Sequence, residues 1–335
     1  MQGVKLLGLI ENWAEISPWV RFLYHALRLS VNNALKVSRS IVVSSSEITH
    51  MIKAVATAPD TNDAALQDLY LKKKIAKDMY HSKVRVFINK TMQVELSLLT
   101  AILQHPSEYS LSSPIAHLVA RQPDYQSFGD ASLDAGGGFS DNPRFWWHIQ
   151  FPTWVRQLTL RHLQILVKSK AENKLITINV LEFLVEIINY AAMTTYVRSN
   201  PDTIPHPYPV LLNWTDNMSA LAWIRKASLK SLMAKGLQRV LCTLMINNPL
   251  GLSSSHIAGV DNTTADAISR TFTGSNIPPS SDTLLQAVPK LKSYMRFHPS
   301  AELLSHLYSA LSLTQKRGLP QISKLGHFSP GNNTL

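Results

Sequence analysis

Residues 176 to 193 read ITINVLEFLVEIINYAAM, and two glutamates, Glu182 and Glu186, sit inside that apolar stretch. No other feature limits the fold as much. Asn and Glu interrupt the run well before the ~18 apolar residues of a membrane span, so a helix of a water-soluble fold is expected. Asn179 or Thr177 opens this helix, and prolines at 201, 205, 207 and 209 stop it after about Arg198. Ile178, Leu181, Val185 and Ile188 make an apolar stripe with Glu182 beside it. Charged residues are only 16% of the 335, against roughly a quarter in an average domain. An Asp or Glu in apolar surroundings therefore needs a reason, because a buried unpaired carboxylate is costly.

The hydrophobic share of 45% is ample for a core, and the low charge density argues against global disorder. A single cysteine, Cys242, excludes a disulfide framework, an iron–sulfur site and a Cys-based zinc module, and it fits a reducing compartment. The first residues, MQGVKLLGLIENWAEISPW, carry Glu11 and Glu15 where a secretory signal needs an uninterrupted apolar core. The chain is thus expected to be soluble and intracellular, cytoplasmic or nuclear, with no membrane partner. Its net charge of +11 is compatible with a polyanionic partner. That charge is spread, at +4 over 1–126, +3 over 127–270 and +4 over 271–335. Lys72, Lys73, Lys74 and Lys77 form the one basic run, and it reads as a solvated helix face.

Three regions follow from the pattern. Residues 1–126 are expected to be mainly helical, with apolar residues at three and four spacing (Trp19, Phe22, Leu23, Ala26, Leu29; Val94, Leu98, Leu99, Ile102) and alternation only over 84–88. Thr61 or Asn62 is suited to cap a helix through Tyr80, and 105–126 is a proline-bearing connector. Residues 127–271 read as strand, strand, helix, strand, helices, strand, helix. The first two strands, 127–132 and 144–150, are expected to join through a turn at Gly136-Gly137-Gly138. Residues 272–335 are expected to be a Pro/Ser-rich linker, a helical stretch over 283–315 and a loose tail.

Four carboxylates stand where elements of the middle region begin or end. Asp130 falls inside the first strand and Asp216 just past the strand Val210-Leu211-Leu212-Asn213-Trp214. Glu182 lies in the opening turns of the long helix, and Asp266 in the first turns of the last one. If the two strands are neighbours, these side chains can converge. Carboxylates gathered without zinc ligands repel one another unless a cation intervenes, and hard oxygen donors suit Mg²⁺ or Mn²⁺. Two such ions ~4 Å apart are the arrangement that hydrolyses phosphodiesters.

The segments FGDASLDAGGG (128–138), INVLEF (178–183), WTDNMSAL (214–221) and HIAGVDNTTADAISR (256–270) resemble the four blocks of the ribonuclease H domain in reverse transcriptases of DIRS-like and related retrotransposons. The last block is the most specific match. The resemblance implies an α/β, RNase H-like fold with a mixed five-stranded sheet and packed helices. It also implies cleavage of the RNA strand of RNA–DNA hybrids and catalytic, metal-holding carboxylates at Asp130, Glu182, Asp216 and Asp266. Residues 1–126 resemble the helical thumb and connection that follow a polymerase palm, and 298–326 resemble the spacer ahead of a tyrosine recombinase. The chain has no Tyr-x-Asp-Asp motif, so polymerase activity is not expected, and no recombinase follows. It therefore resembles a fragment of a longer polyprotein, with the palm and fingers of the same element as a further partner. The alternative is a catalytically silent remnant that binds nucleic acid or serves as a scaffold.

Each residue also has a plainer explanation. Glu186 rivals Glu182, and a Glu in a first turn can merely answer the helix dipole. Asp216 can be a helix N-cap, with Asn217 as rival, and Asp266 a first-turn charge behind an Asn262 cap, with Asp261 nearby. His256 is a weaker candidate for positioning substrate or assisting product release. Trp146 and Trp147 can stack on nucleic acid, but strand aromatics usually pack in a core. The glycines lack the following Lys-Ser/Thr of a phosphate-cradling loop and read as turn residues.

Overall fold

The structure, a computed structural model, describes residues 2–43, 86–105, 113–118, 121–164, 176–204, 206–226, 231–248, 250–271, 281–312 and 319–330. The expected helix from 61 or 62 to Tyr80 and the lysine run at 72–77 lie outside the described residues.

The fold is α/β, with one seven-stranded mixed sheet and helices on both of its faces. The strands are β1 (Tyr125–Ala131), β2 (Ala135–Asn142), β3 (Arg144–Gln150), β4 (Val210–Thr215), β5 (Gly251–His256), β6 (Met295–Pro299) and β7 (Gly326–Ser329), in the order β5-β4-β1-β2-β3-β6-β7. β1, β2 and β3 form an antiparallel meander. β4 runs parallel to β1, β5 to β4 and β6 to β3, and β7 returns antiparallel on β6.

The expected five strands become seven. Both additions come from 272–335, where helix and loose tail were expected. Met295–Pro299 is too short for its period to stand out beside the leucine spacing that follows, and that spacing does form a helix, Ala301–Ala310. Glu302 of this helix secures the tail by accepting from Ser323 N at 2.9 Å and Lys324 N at 2.9 Å.

The glycine run is not a turn. Gly136, Gly137 and Gly138 lie inside β2, and the β1–β2 connection falls at 132–134. The missing side chains admit helices. A Cβ on Gly136 would stand 2.7 Å from Val185 Cγ2, and one on Gly138 would strike Asn189 Oδ1. On the opposite face, a Cβ on Gly137 would stand 2.9 Å from the Cβ of Ile268.

Before the sheet come α1 (Gln2–Ile16), a 3-10 turn (Pro18–Leu23), α2 (His25–Val43), α3 (Lys90–Gln104) and α4 (Ile115–Leu118). The apolar faces of α1, the 3-10 turn, α2 and α3 gather Leu7, Trp19, Leu27, Leu99 and Ile102 into a cluster that also takes in Cys242. Glu95 of α3 has the reason a buried carboxylate needs: it accepts from Ala26 N at 2.8 Å and Leu27 N at 3.1 Å, closing the N-terminus of α2.

The remaining helices are α5 (Thr153–Gln164), α6 (Ile178–Ser199), α7 (Met218–Lys226), α8 (Leu232–Ile246), α9 (Thr263–Arg270), α10 (Ser281–Ala287) and α11 (Ala301–Ala310). Among the described residues α6 alone is long and apolar enough to cross a membrane, contrary to the expectation that Asn and Glu break the run. Yet 89% of its most apolar window is buried inside the protein, between the sheet and α7 and α8, so it is the core helix. Each apolar side chain fully buried there contributes about 1.5–3 kcal/mol. The other face of the sheet carries α9 and α10 over Phe139, Trp146, Ala265, Ile268 and Leu284.

Candidate functional site

β1 is central, and its parallel pairing with β4 sets Phe128 opposite Trp214. Two residues further along, Asp130 sits near the end of β1, and Asp216 follows the last residue of β4. Glu182 reaches this point from α6, where its Oε1 accepts from Ala131 N at 3.2 Å. One carboxylate oxygen from each of Asp130, Glu182 and Asp216 lies within 4.8 Å of the other two. Asp130 and Glu182 are each only 4% exposed.

Asp216 is not the cap of α7. Asn217 takes that duty, its Oδ1 accepting from Ser219 N and Ala220 N, both at 3.0 Å. Its Nδ2 donates to Asn179 Oδ1 at 2.9 Å, tying the start of α7 to the start of α6. Gly259 passes close beside Asp216, since a Cβ there would stand 3.2 Å from Asp216 Oδ2.

Crowding and burial set the electrostatics. Burial raises the Asp130 carboxyl above its ordinary value; a hydrogen bond from Ser269 opposes this, and Asp216 and Asp266 add to it. Glu182 is pushed well above the carboxylate range, by burial first and then by Asp130 and Asp216. Its Oε2 is buried with no hydrogen-bond partner among the described residues. A divalent cation fits this donor set: all the ligand atoms are hard oxygens, one is orphaned, and the charges repel without a counterion.

The other expected residues stand apart from this group. Asp266, in the first turn of α9, is 43% exposed and its Oδ1 is ion-paired to Arg270 Nε one turn on. Asn262 does not cap α9 with its side chain. Its Nδ2 donates to Gly129 O at 2.9 Å instead, fastening the helix to β1. Asp261 is exposed in the turn before α9. Glu186 is buried one turn beyond Glu182, and burial lifts its carboxyl to about 8. His256 ends β5 in an exposed position opposite Thr215. Trp146 and Trp147 are 2% and 0% exposed and belong to the core, Trp147 donating to Asn189 Oδ1 at 2.8 Å.

One site residue was missed from the sequence. Ser269 of α9 donates through Oγ to Asp130 Oδ2. Its signal was the spacing of Ala265, Ile268 and Ser269, which puts all three on the buried face of a helix. No family model, curated protein or solved structure matches the chain.

Proposed function

We propose that the chain is a metal-dependent ribonuclease of the RNase H type that cleaves the RNA strand of RNA–DNA hybrids, as part of a retrotransposon reverse transcriptase. The observation that carries this reading is the convergence of Asp130, Glu182 and Asp216 from three separate elements onto one point. Further support comes from the sheet, since β5-β4-β1-β2-β3 with α6 and α9 on its two faces agrees with the mixed five-stranded sheet the resemblance implies.

Asp130, Glu182 and Asp216 would hold Mg²⁺ or Mn²⁺, with Asp266, ion-paired to Arg270, as a fourth carboxylate outside the group. A metal held by these residues would supply a polarised water and charge stabilisation for the departing oxygen of a phosphodiester. The protein's own part is to keep these carboxylates gathered and to shield them on the α6 side. Binding a hybrid through phosphates and the RNA 2′-hydroxyl calls for little base specificity. The palm and fingers of the same element are the proposed further partner, within an intracellular, cytoplasmic or nuclear, setting.

The ion pair that engages Asp266 with Arg270 favours a second reading, a catalytically silent remnant that binds nucleic acid or serves as a scaffold. Incubating the protein with labelled RNA–DNA hybrid, single-stranded RNA and duplex DNA, each with and without Mg²⁺, separates the two. The nuclease reading expects Mg²⁺-dependent cutting of the hybrid alone, lost in Asp130→Asn with the fold intact. Full activity in that variant refutes it, and hybrid binding without cleavage selects the second reading.

A further inference from the structure

We propose that Ser269 is a positioning residue, its hydroxyl holding the Asp130 carboxylate in the orientation that receives a divalent cation. The inference rests on the metal-binding reading of the site. Among the described residues Ser269 is the hydrogen-bond partner of that carboxylate, through Oγ to Asp130 Oδ2. Ser269 is 0% exposed, so water does not compete for the contact.

A serine inside a helix ordinarily returns its proton to a carbonyl three or four residues back. Such an acceptor is in place, Asp266 O at 3.0 Å from Ser269 Oγ. The hydroxyl has one proton, however, and Asp130 Oδ2 is also within its reach. A bond to a carboxylate is about twice as strong as one between neutral groups. The proton is therefore assigned to Asp130, where it favours the charged form that a cation needs and fixes the carboxylate plane.

The docking of α9 does not depend on this hydroxyl. Asn262 Nδ2 donates to Gly129 O at 2.9 Å at one end of the helix. At the other end Ser132 Oγ donates to the main-chain carbonyl of Ser269 at 2.9 Å. Ile268 fills the space over Gly137 between these ties. Deleting the Ser269 hydroxyl thus leaves α9 anchored at three points and frees only the carboxylate it faces.

The test uses the full chain and Mn²⁺ alone as probe, titrated while the free-ion signal is followed by electron paramagnetic resonance. Ser269→Ala is expected to keep its far-UV spectrum and cooperative melting and to bind Mn²⁺ about 10–100-fold more weakly, the usual effect of losing an outer-shell partner. Ser269→Thr, which retains the hydroxyl, is expected to restore most of that affinity. A Ser269→Ala protein that binds as tightly as the parent overturns the proposal. So does one that has lost cooperative melting, or a folded Ser269→Thr that fails to recover. A parent protein that takes up no Mn²⁺ refutes the metal reading and the proposal with it. Mn²⁺ binding without hybrid cleavage refutes only the nuclease reading, and the affinities still decide the role of Ser269.

Discussion

Phe128 on β1 lies opposite Trp214 on β4 in a parallel pairing, their rings stacked within 9° of parallel and 6.4 Å apart. One step of two residues along each strand leads from this aromatic pair to Asp130 and Asp216. The register that packs the rings therefore also gathers the acids, and Glu182 completes the group from α6.

Mg²⁺ is expected to stabilise the protein without any nucleic acid present. Ligand at a hundred times its dissociation constant adds about 2.7 kcal/mol to the folded state, read as a rise in melting temperature. Glu182→Gln and Asp216→Asn should abolish that rise. The same variants should melt no lower than the parent in chelator, because each replaces an acid whose charged form the crowded group disfavours. A Mg²⁺ response that survives in both variants refutes the assignment of the group.

Cation affinity should increase with pH. Burial raises the carboxyls of both Asp130 and Glu182, so protons compete with a cation for them, and at lower pH that competition grows. Calorimetry in buffers of different ionisation enthalpy should register proton release on Mn²⁺ binding. Affinity that stays flat from about pH 4 to about pH 8, from the ordinary carboxylate range to neutrality, would count against it.

Asp266→Asn should weaken hybrid cleavage less than Asp130→Asn does. Asp266 is half exposed, ion-paired to Arg270 and outside the converging group. A loss within about tenfold is expected, against more than the roughly 10–100-fold typical of an outer-shell partner for Asp130→Asn. Equal losses in the two variants would place Asp266 among the ligands.

Glu186 makes stability fall with rising pH. Its folded-state value of about 8 lies above the ordinary 4.5, so the contribution is full below about 4.5 and is lost as pH rises toward 8. At about 1.36 kcal/mol per pH unit the change is at most on the order of 5 kcal/mol. Urea unfolding of Glu186→Gln, which cannot ionise, should lack this slope. A slope equal to the parent's assigns the effect elsewhere.

Gly137→Ala should lower stability by about 1–3 kcal/mol, the usual effect of overpacking. The added methyl meets Ile268 in both its side chain and, at 3.2 Å, its main chain. Because Ser269 follows Ile268, Mn²⁺ affinity should fall as well. Urea unfolding and the Mn²⁺ titration check the two parts separately.

The sequence was most informative where one residue type had a single plausible reason to be present. Asp130 in an apolar strand was legible in this way, whereas Glu182 and Asp216, each with a rival explanation, were legible only through the resemblance of the blocks that contain them. Ser269 was not, since a serine in a helix has many ordinary explanations and its partner lies 139 positions away. The glycine triplet was misread because turns are the commonest use of glycine, and only the helices packed above and below β2 explain it. β6 and β7 were missed for a related reason: short edge strands carry little period of their own and are defined by the neighbour they pair with.

Without side chains on Gly136, Gly137 and Gly138, β2 is the thinnest part of the central layer, and α6 and α9 press on it from opposite sides. The helix bearing Glu182 is thereby seated on Gly136 and Gly138, and the helix bearing Ser269 on Gly137 between them. A side chain at Gly136 or Gly138 would lift the helix that carries Glu182, and one at Gly137 the helix that carries Ser269, so the distance between the two helices is set independently from either face.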